Sequence, residues 1–321
     1  SFDYLAMQFR LWKRMGMAVG FLPFSTVGYS LSNTSELTKD EDGTVINKTA
    51  SYAGDGGLQQ VFAGVGFKVL DNLSIGANIS YIYGDITHSV TTAFSNSSSF
   101  SSVRLDKISI NDYKLDFGLQ YSYKFNKKHV LNFGAVYSLG HSVNGKGYKY
   151  NQKWLNGADY PSTQTGDTIT NAFSLPHTFG AGLTYVYDNR LTIGADFTYQ
   201  QWEDAKFYNE KSYFSNRTKI AAGAEFVPNP YSRNYLKRVR YRVGGYYSDP
   251  YTKVDGQDGT REYGVSAGFG FPLFQSKSIL NISGQYVRVS PKVKGMLEEN
   301  YLKINIGLTF NERWFMKWKV D

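Results

Sequence analysis

The sequence predicts an all-β fold, a transmembrane antiparallel β-barrel of about 14 strands, and three observations predict it. Stretches of about ten residues alternate apolar with polar or glycine, as in Leu73–Tyr81 (LSIGANISY) and Leu191–Tyr199 (LTIGADFTY). Glycine crowds the polar phase, whereas a soluble sandwich or barrel packs that face with bulky aliphatics. Connections alternate between short turns and long polar links, as in barrels with short periplasmic turns and long external loops. With 321 residues, 32 Gly, 26 Tyr and 22 Phe, residues 1–321 read as one barrel domain. Only 41% of the residues are hydrophobic, which a barrel allows because alternate positions alone meet lipid. No stretch approaches the roughly 20 apolar residues of a spanning helix.

Reading for alternation bounded by turn residues, strands fall at 4–12, 15–31, 58–69, 73–91, 107–125, 129–151, 171–187, 191–203, 216–227, 238–251, 261–273, 278–290 and 300–311. Short turns follow each odd strand: Lys13–Gly16, Leu70–Asn72, Asn126–Lys128, Asp188–Arg190, a longer link from Pro228 to Lys237, and Phe274–Lys277. The first and last strands therefore both run toward the periplasm, leaving the C-terminus there. An outward strand upstream of Ser1 is expected to complete the barrel and abolish its free edge, together with a signal segment.

Basic residues gather at the short-turn end: Lys13, Arg14, Lys127, Lys128, Arg190, Arg233, Lys237, Arg238, Lys277, Arg313, Lys317 and Lys319. They suit a rim beside lipid phosphates or lipopolysaccharide, or a docking face for an acidic periplasmic protein. This placement accounts for the net charge of +8 without nucleic acid. Tyr81/Tyr83, Tyr121/Tyr123, Tyr185/Tyr187 and Trp314 with Phe315 sit where interfacial girdles belong.

Nothing points to catalysis, a metal or a cofactor. The chain has no cysteine, and His88, His129, His141 and His177 are scattered. Asp40–Gly43 and Asp255–Gly259 lack the distal bidentate glutamate of a calcium loop and read as turns. Gly268-Phe269-Gly270 has no helix after it to cradle a phosphate.

By phase, Arg10, Lys114, Asp116, Asp196, Lys219, Glu225, Arg240, Arg242, Glu262 and Lys303 point into the lumen. Their mixed signs favour internal pairing, and lumen glycines such as Gly134, Gly182 and Gly307 leave space for an inserted segment or a ligand. No strongly apolar patch stands out on this inward face. The second strand breaks pattern: Pro23 cannot donate to the ladder and Gly20 and Gly28 permit a bulge, so a kinked wall is expected. Pro176 raises the same question near the long-link end.

Leu22–Tyr29 (LPFSTVGY), Gly54–Val61 (GDGGLQQV) and Glu298–Ile304 (EENYLKI) with Trp314 and Phe315 resemble the FadL-type outer-membrane transporters of hydrophobic compounds, especially their Bacteroidota relatives. The resemblance implies a Gram-negative outer-membrane barrel of fourteen strands, plugged by an N-terminal hatch. Its substrates would be caught outside and released sideways through a gap at an inward kink in the third strand. One strand upstream makes the Pro23 strand the third, which carries the lateral-gate role onto Gly20, Pro23 and Gly28. Phe21, Phe24 and Tyr29, with external-loop Phe94, Phe100, Tyr148 and Tyr150, become candidate contacts for a hydrophobic or amphipathic ligand. Two functions remain open: passive uptake through the wall, or a structural barrel subunit of a larger outer-membrane assembly. A general porin fits less well.

Overall fold

Strands dominate because alternation continues well beyond what a membrane requires. The computed structural model describes residues 3–39, 42–156, 163–170, 172–207, 211, 213–254, 256–273, 278–292 and 298–310. In chain order the strands are β1 (Leu5–Trp12), β2 (Met15–Lys39), β3 (Val45–Lys68), β4 (Leu73–Phe94), β5 (Phe100–Lys124) and β6 (His129–Ser138). Then come β7 (His141–Val143), β8 (Gly145–Leu155), β9 (Thr163–Thr170), β10 (Phe173–Leu175), β11 (Thr178–Tyr187), β12 (Leu191–Gln200) and β13 (Arg217–Phe226). The last are β14 (Arg240–Ser248), β15 (Lys253–Val254), β16 (Gln257–Asp258), β17 (Thr260–Pro272), β18 (Ile279–Pro291) and β19 (Glu299–Thr309).

The wall is one antiparallel sheet in the order β1-β2-β3-β4-β5-β6-β11-β12-β13-β14-β17-β18-β19. These thirteen correspond to the thirteen predicted strands. Its end strands, β1 and β19, are not paired with each other. Alternating directions along an odd number of strands make β1 and β19 run the same way. Val243, Val265, Leu302, Ile304 and Ile306 stand outward, each more than 60% exposed, as lipid-facing positions must. Among the described residues no helix is long and apolar enough to cross a membrane; the strands do so.

Strand lengths fall into two groups. β6, β11, β12 and β13 have 10 residues each, about the 9–11 that a tilted spanning strand needs. β2, β3, β4 and β5 have 25, 24, 22 and 25, reaching about 75–85 Å at 3.3–3.4 Å per residue. Their excess joins β8 and β9 in a tall sheet, a wing, that continues one side of the wall beyond the barrel. The predicted links at 32–57 and 92–106 are thus largely strand. Those segments alternate, but with Ser and Thr on one phase, so they lack the apolar signal of a lipid-facing strand.

The predicted strand at 129–151 breaks in three: wall strand β6, inturned β7, and β8 in the wing. The strand at 171–187 likewise starts as β10, turns at Pro176 and enters the wall as β11. β7 and β10 pair with each other, Phe173 opposite Val143 and Leu175 opposite His141, and their side chains enter the main hydrophobic core. Chain at the long-link end of the wall therefore folds back to pack against the core there. The turn at Phe274–Lys277, the girdle pair Trp314 and Phe315, the basic residues Arg313, Lys317 and Lys319, and the turn residues Asp40, Glu41 and Asp255 lie outside the described residues.

Candidate functional site

The kink predicted at Pro23 is a single bulge. β2 pairs with β3 from Met15 opposite Phe67 up to Pro23 opposite Gln59, skips Phe24, and resumes with Ser25 opposite Leu58. The extra residue shifts the phase of β2, and Phe24 packs against the apolar cluster. Apart from this bulge and a second between Glu36 and Thr38, the β2–β3 ladder is continuous.

At the bulge the polarity of the wall turns inside out. Below it, the outward phase carries Val61, Ile79, Tyr81 and Tyr113, all over 40% exposed. The inward phase there carries Gln60 donating to Ser80 at 2.7 Å and Lys114 bonded to Asp116. Above it, outward positions become charged: Lys107 Nζ lies 2.8 Å from Asp85 Oδ2, and Ser109 donates to Asp85 Oδ1 at 2.6 Å. These two partners, the Lys107 bond first, hold the Asp85 carboxyl below the usual carboxylate range. The inward phase above the bulge is apolar. Leu58, Ile82, Ile108, Ile110, Val143, Ala172 and Leu175 are buried there, with Phe24, Ile86, Ile169, Phe173 and Phe207 around them. Space left beside Leu58, Ile82, Ile110, Val143 and Leu175 is too small for water.

This corrects the expectation of a lumen without an apolar patch. The signal lay in Ile82, Ile86, Ile108 and Ile110, whose phase is opposite to the lipid-facing Tyr81 and Tyr113. It was masked because aliphatics on either phase look alike until the bulge fixes which side holds water. Gly84, at φ 142°, is part of the same transition: a Cβ there would sit 2.3 Å from the Gly57 carbonyl oxygen, so only glycine fits.

A second cluster covers the mouth on the short-strand side. Trp202 lies 5.2 Å from Phe214, 5.1 Å from Tyr251 and 6.1 Å from Phe173 between ring centroids. Phe207 meets Phe214 edge-on at 5.9 Å. Arg217 stacks over Tyr251 at 5.3 Å and donates to Ser248 Oγ at 2.7 Å. Phe173 links this lid to the core. The aromatics expected in external loops, Phe94, Phe100, Tyr148 and Tyr150, belong instead to β4, β5 and β8 of the wing.

Outside the wall, Leu5, Met7, Val19, Phe21, Val61, Ala63, Ile79, Tyr81 and Tyr113 line an open apolar hollow of about 570 Å³. Gly20 lies in its floor. A Cβ at Gly20 would come 2.5 Å from the Phe62 ring, so the glycine lets Phe62 lie flat on the wall. Pairing across the wall lapses elsewhere. The β5–β6 ladder ends at Asp116 opposite Ser138, and β5–β8 starts at Ile110 opposite Gly145. Between them the chain turns inward to form β7, and His141 stacks on Tyr113 at 4.6 Å and lies 3.5 Å from Asp112. No reading of phase could find this interruption, because β5 itself alternates without a break.

The predicted lumen charges form several local groups. Glu225 accepts from Arg240 at 2.9 Å and Arg242 at 2.7 Å, and Arg242 also reaches Asn281 at 2.7 Å. Ser138 donates to Asp116, joining the Lys114 pair. Tyr246 donates to Glu262, and Lys219 sits 4.9 Å over the Tyr246 ring. Asp196 lies over Gly182, whose Cβ would meet its carboxylate at 2.4 Å. Lys303 lies 5.9 Å from the Tyr301 ring centre. Arg10 caps its own turn by donating to the Trp12 and Lys13 carbonyls at 3.0 and 2.9 Å. Nothing lies within 4 Å of a Cβ built at Gly134 on β6 or at Gly307 on β19, so neither glycine is required by a close neighbour. Among the described residues no set of His, Asp and Glu could hold a metal.

The sequence model of the BamG family matches residues 1–321, so the chain belongs to that family. No curated protein compared with it is a significant sequence match. Its structure is similar to the Pseudomonas putida toluene transporter TodX, with a TM-score of 0.57 at 14% identity over 94% of this chain and 80% of that one. It is similar to the CymD monoaromatic hydrocarbon channel, with 0.56 at 11% over 89% and 77%. A Pseudomonas aeruginosa FadL homologue gives 0.54 at 16% over 89% and 69%. At these identities the likeness is one of fold: an antiparallel β-barrel wall like that of these channels.

Proposed function

We propose that this BamG-family barrel is a structural subunit of a larger outer-membrane assembly, anchored by its wall and engaging other proteins through its wing. The observation that carries this reading is the one-sided wing. β2 to β5 continue about 40 Å or more past the length a spanning strand needs, and the wing's outward phase is hydroxyl-rich and charged. A channel alone has no use for such a tall, asymmetric sheet, while an adaptor does. The reading keeps the short turns and the C-terminus in the periplasm, where Arg14, Lys127 and Lys128 form a basic rim beside lipid or protein. Native mass spectrometry of the full-length protein from its own outer membrane tests it: a defined multi-protein particle is expected, and a stable monomer rejects it.

A second reading, passive uptake of a hydrophobic or amphipathic small molecule, is favoured by the hollow of about 570 Å³ beside Phe21 and the apolar core behind the Pro23 bulge. The channels it resembles carry names of hydrocarbon transport. Under this reading Gly20, Phe21, Pro23, Phe24, Gly28 and Tyr29 form the lateral route, with binding from buried apolar area at about 25 cal/mol per Å². The packed core must then move aside, because it leaves no room for water. Replacing Pro23 with Ala is expected to abolish uptake while leaving folding intact; unchanged uptake removes the route.

A further inference from the structure

On β17 and β18 the outward phase changes character in one order, read from the short-turn end: apolar, then tyrosine, then arginine. On β17 it passes from Phe269 and Val265 to Tyr263 and then Arg261, and on β18 from Ile282 to Tyr286 and then Arg288. Tyr247 of β14 pairs with Tyr263, so the tyrosines form a row, with Tyr247, Tyr263 and Tyr286 exposed at 38%, 37% and 45%. The segment from Phe271 to Tyr263 matches the roughly 9–11 residues that carry a tilted strand across a bilayer. The row therefore sits at head-group depth, where aromatic girdles lie. Arg261 and Arg288 stand just past it.

The two arginines are neighbours. Tyr263 lies opposite Arg288 and Arg261 opposite Ser290, which sets Arg261 and Arg288 diagonally on one face with Cβ atoms about 7–8 Å apart. Two long guanidinium side chains can close that span on one anion. The carboxylates around them are engaged: Glu298 with Arg288, Asp258 with Lys292 at 3.0 Å, and Asp249 with the Tyr247 hydroxyl at 2.9 Å. Arg261 is within electrostatic reach of Tyr247 and has no ion pair among the described residues, and Arg288 finds no acceptor for its Nε. We propose that Arg261 and Arg288 clamp a phosphate of a phosphorylated glycolipid in the outer leaflet, whose acyl chains lie along Val265 and Ile282. A guanidinium suits this task because it meets phosphate with two parallel donors. The proposal rests on the outer-membrane orientation given above, with the short turns in the periplasm, and holds under either reading of function.

The rest of the wall offers no equal place. At the same end of β11, β12 and β13 the outward residues are Phe179, Tyr199 and Thr218, none of them charged. On the tall wall the outward Lys107 is neutralised by Asp85 at 2.8 Å. Free phosphate would gain nothing from the apolar surface beneath the arginines, and an acidic protein segment would have to lie over tyrosines set at head-group depth. A phosphorylated lipid uses both parts, its charge against the arginines and its chains against the aliphatics. The sector of β17 and β18 then faces lipid, so any partner of this barrel joins through other strands.

The test extracts the full-length protein from its own membrane in mild detergent and reads the glycolipid it carries by native mass spectrometry. Arg261→Gln with Arg288→Gln is expected to carry about tenfold less phosphorylated glycolipid than the unaltered protein. Arg261→Lys with Arg288→Lys keeps the charge but not the paired donors and is expected to fall between them. Lys146→Gln with Lys153→Gln, the same loss of charge on β8 of the wing, is expected to change nothing, and the heat-modifiable gel shift of a folded barrel confirms that each variant has folded. Equal retention in the Gln pair overturns the proposal. So does a phosphate adduct in place of the glycolipid mass, which makes this a free-anion site, and so does loss of a protein from the particle, which assigns the arginines to a partner. The chain has no cysteine, so Asn189→Cys with a membrane-impermeant maleimide on whole cells reads the orientation separately. Labelling there puts the short turns outside and removes the orientation and the proposal together; no labelling, with glycolipid retained by the Gln pair, rejects the site alone.

Discussion

The short wall, β6 and β11 to β13, and the tall wall, β2 to β5, are built from the same alternation and use it for opposite ends. In the short wall each strand crosses once, with apolar residues toward lipid and Gly, Ser, Thr and charge toward the lumen. In the tall wall that rule holds only up to Tyr81 and Gln60; past the Pro23 bulge, Ile82, Ile108 and Ile110 turn inward to a packed core and Asp85 and Lys107 turn outward to water. Alternation therefore specifies a strand, and the solvent on each side decides which phase must be apolar. The inversion marks the level at which lipid gives way to water.

Substitutions on the two sides of that level break or sharpen the comparison, and unfolding in urea from lipid vesicles measures them. The largest effect is expected from Ile82→Ala. Ile82 is 1% exposed in the core, and truncation there costs about 2–5 kcal/mol through lost burial and a cavity. Ile79→Arg, on the lipid-facing phase, is expected to cost about 2–4 kcal/mol if that position lies near the bilayer midplane. A neutral result would move the inversion level down the strand.

Glu225→Ala removes the acceptor shared by Arg240 and Arg242. All three side chains are partly exposed, so about 1 kcal/mol is expected, shrinking with added salt.

Acid supplies the next test. Burial pushes the His88 imidazole down from its ordinary value, against a smaller opposite pull from Asp106, and Tyr29 bonds its Nδ1 at 3.0 Å. The unfolded wing then takes up a proton before the folded one. Stability is thus full above about pH 6.5 and falls as pH drops below it. Hydrogen exchange of β2 to β4 amides is expected to quicken in acid, and His88→Phe to flatten the response. The smallest effect belongs to Thr87→Arg. It shares the outward phase of Ile79 but lies above the inversion, so a change within about 0.5 kcal/mol is expected; a large loss would place Thr87 in lipid.

By itself the sequence determined the class of fold, the thirteen wall strands found among the described residues and most of their limits. Each follows from two-residue periodicity and turn chemistry, which are local. It could not determine that 32–57 and 92–106 continue as strand, because a water-facing sheet lacks the lipid-facing apolar phase. Nor could it show that 139–144 and 173–176 leave the wall to plug the mouth, since β7 and β10 meet only through pairing of residues distant in sequence. The apolar core of Leu58, Ile82, Ile110, Val143 and Leu175 needed the tertiary structure for the same reason: it gathers one or two side chains from each of five strands.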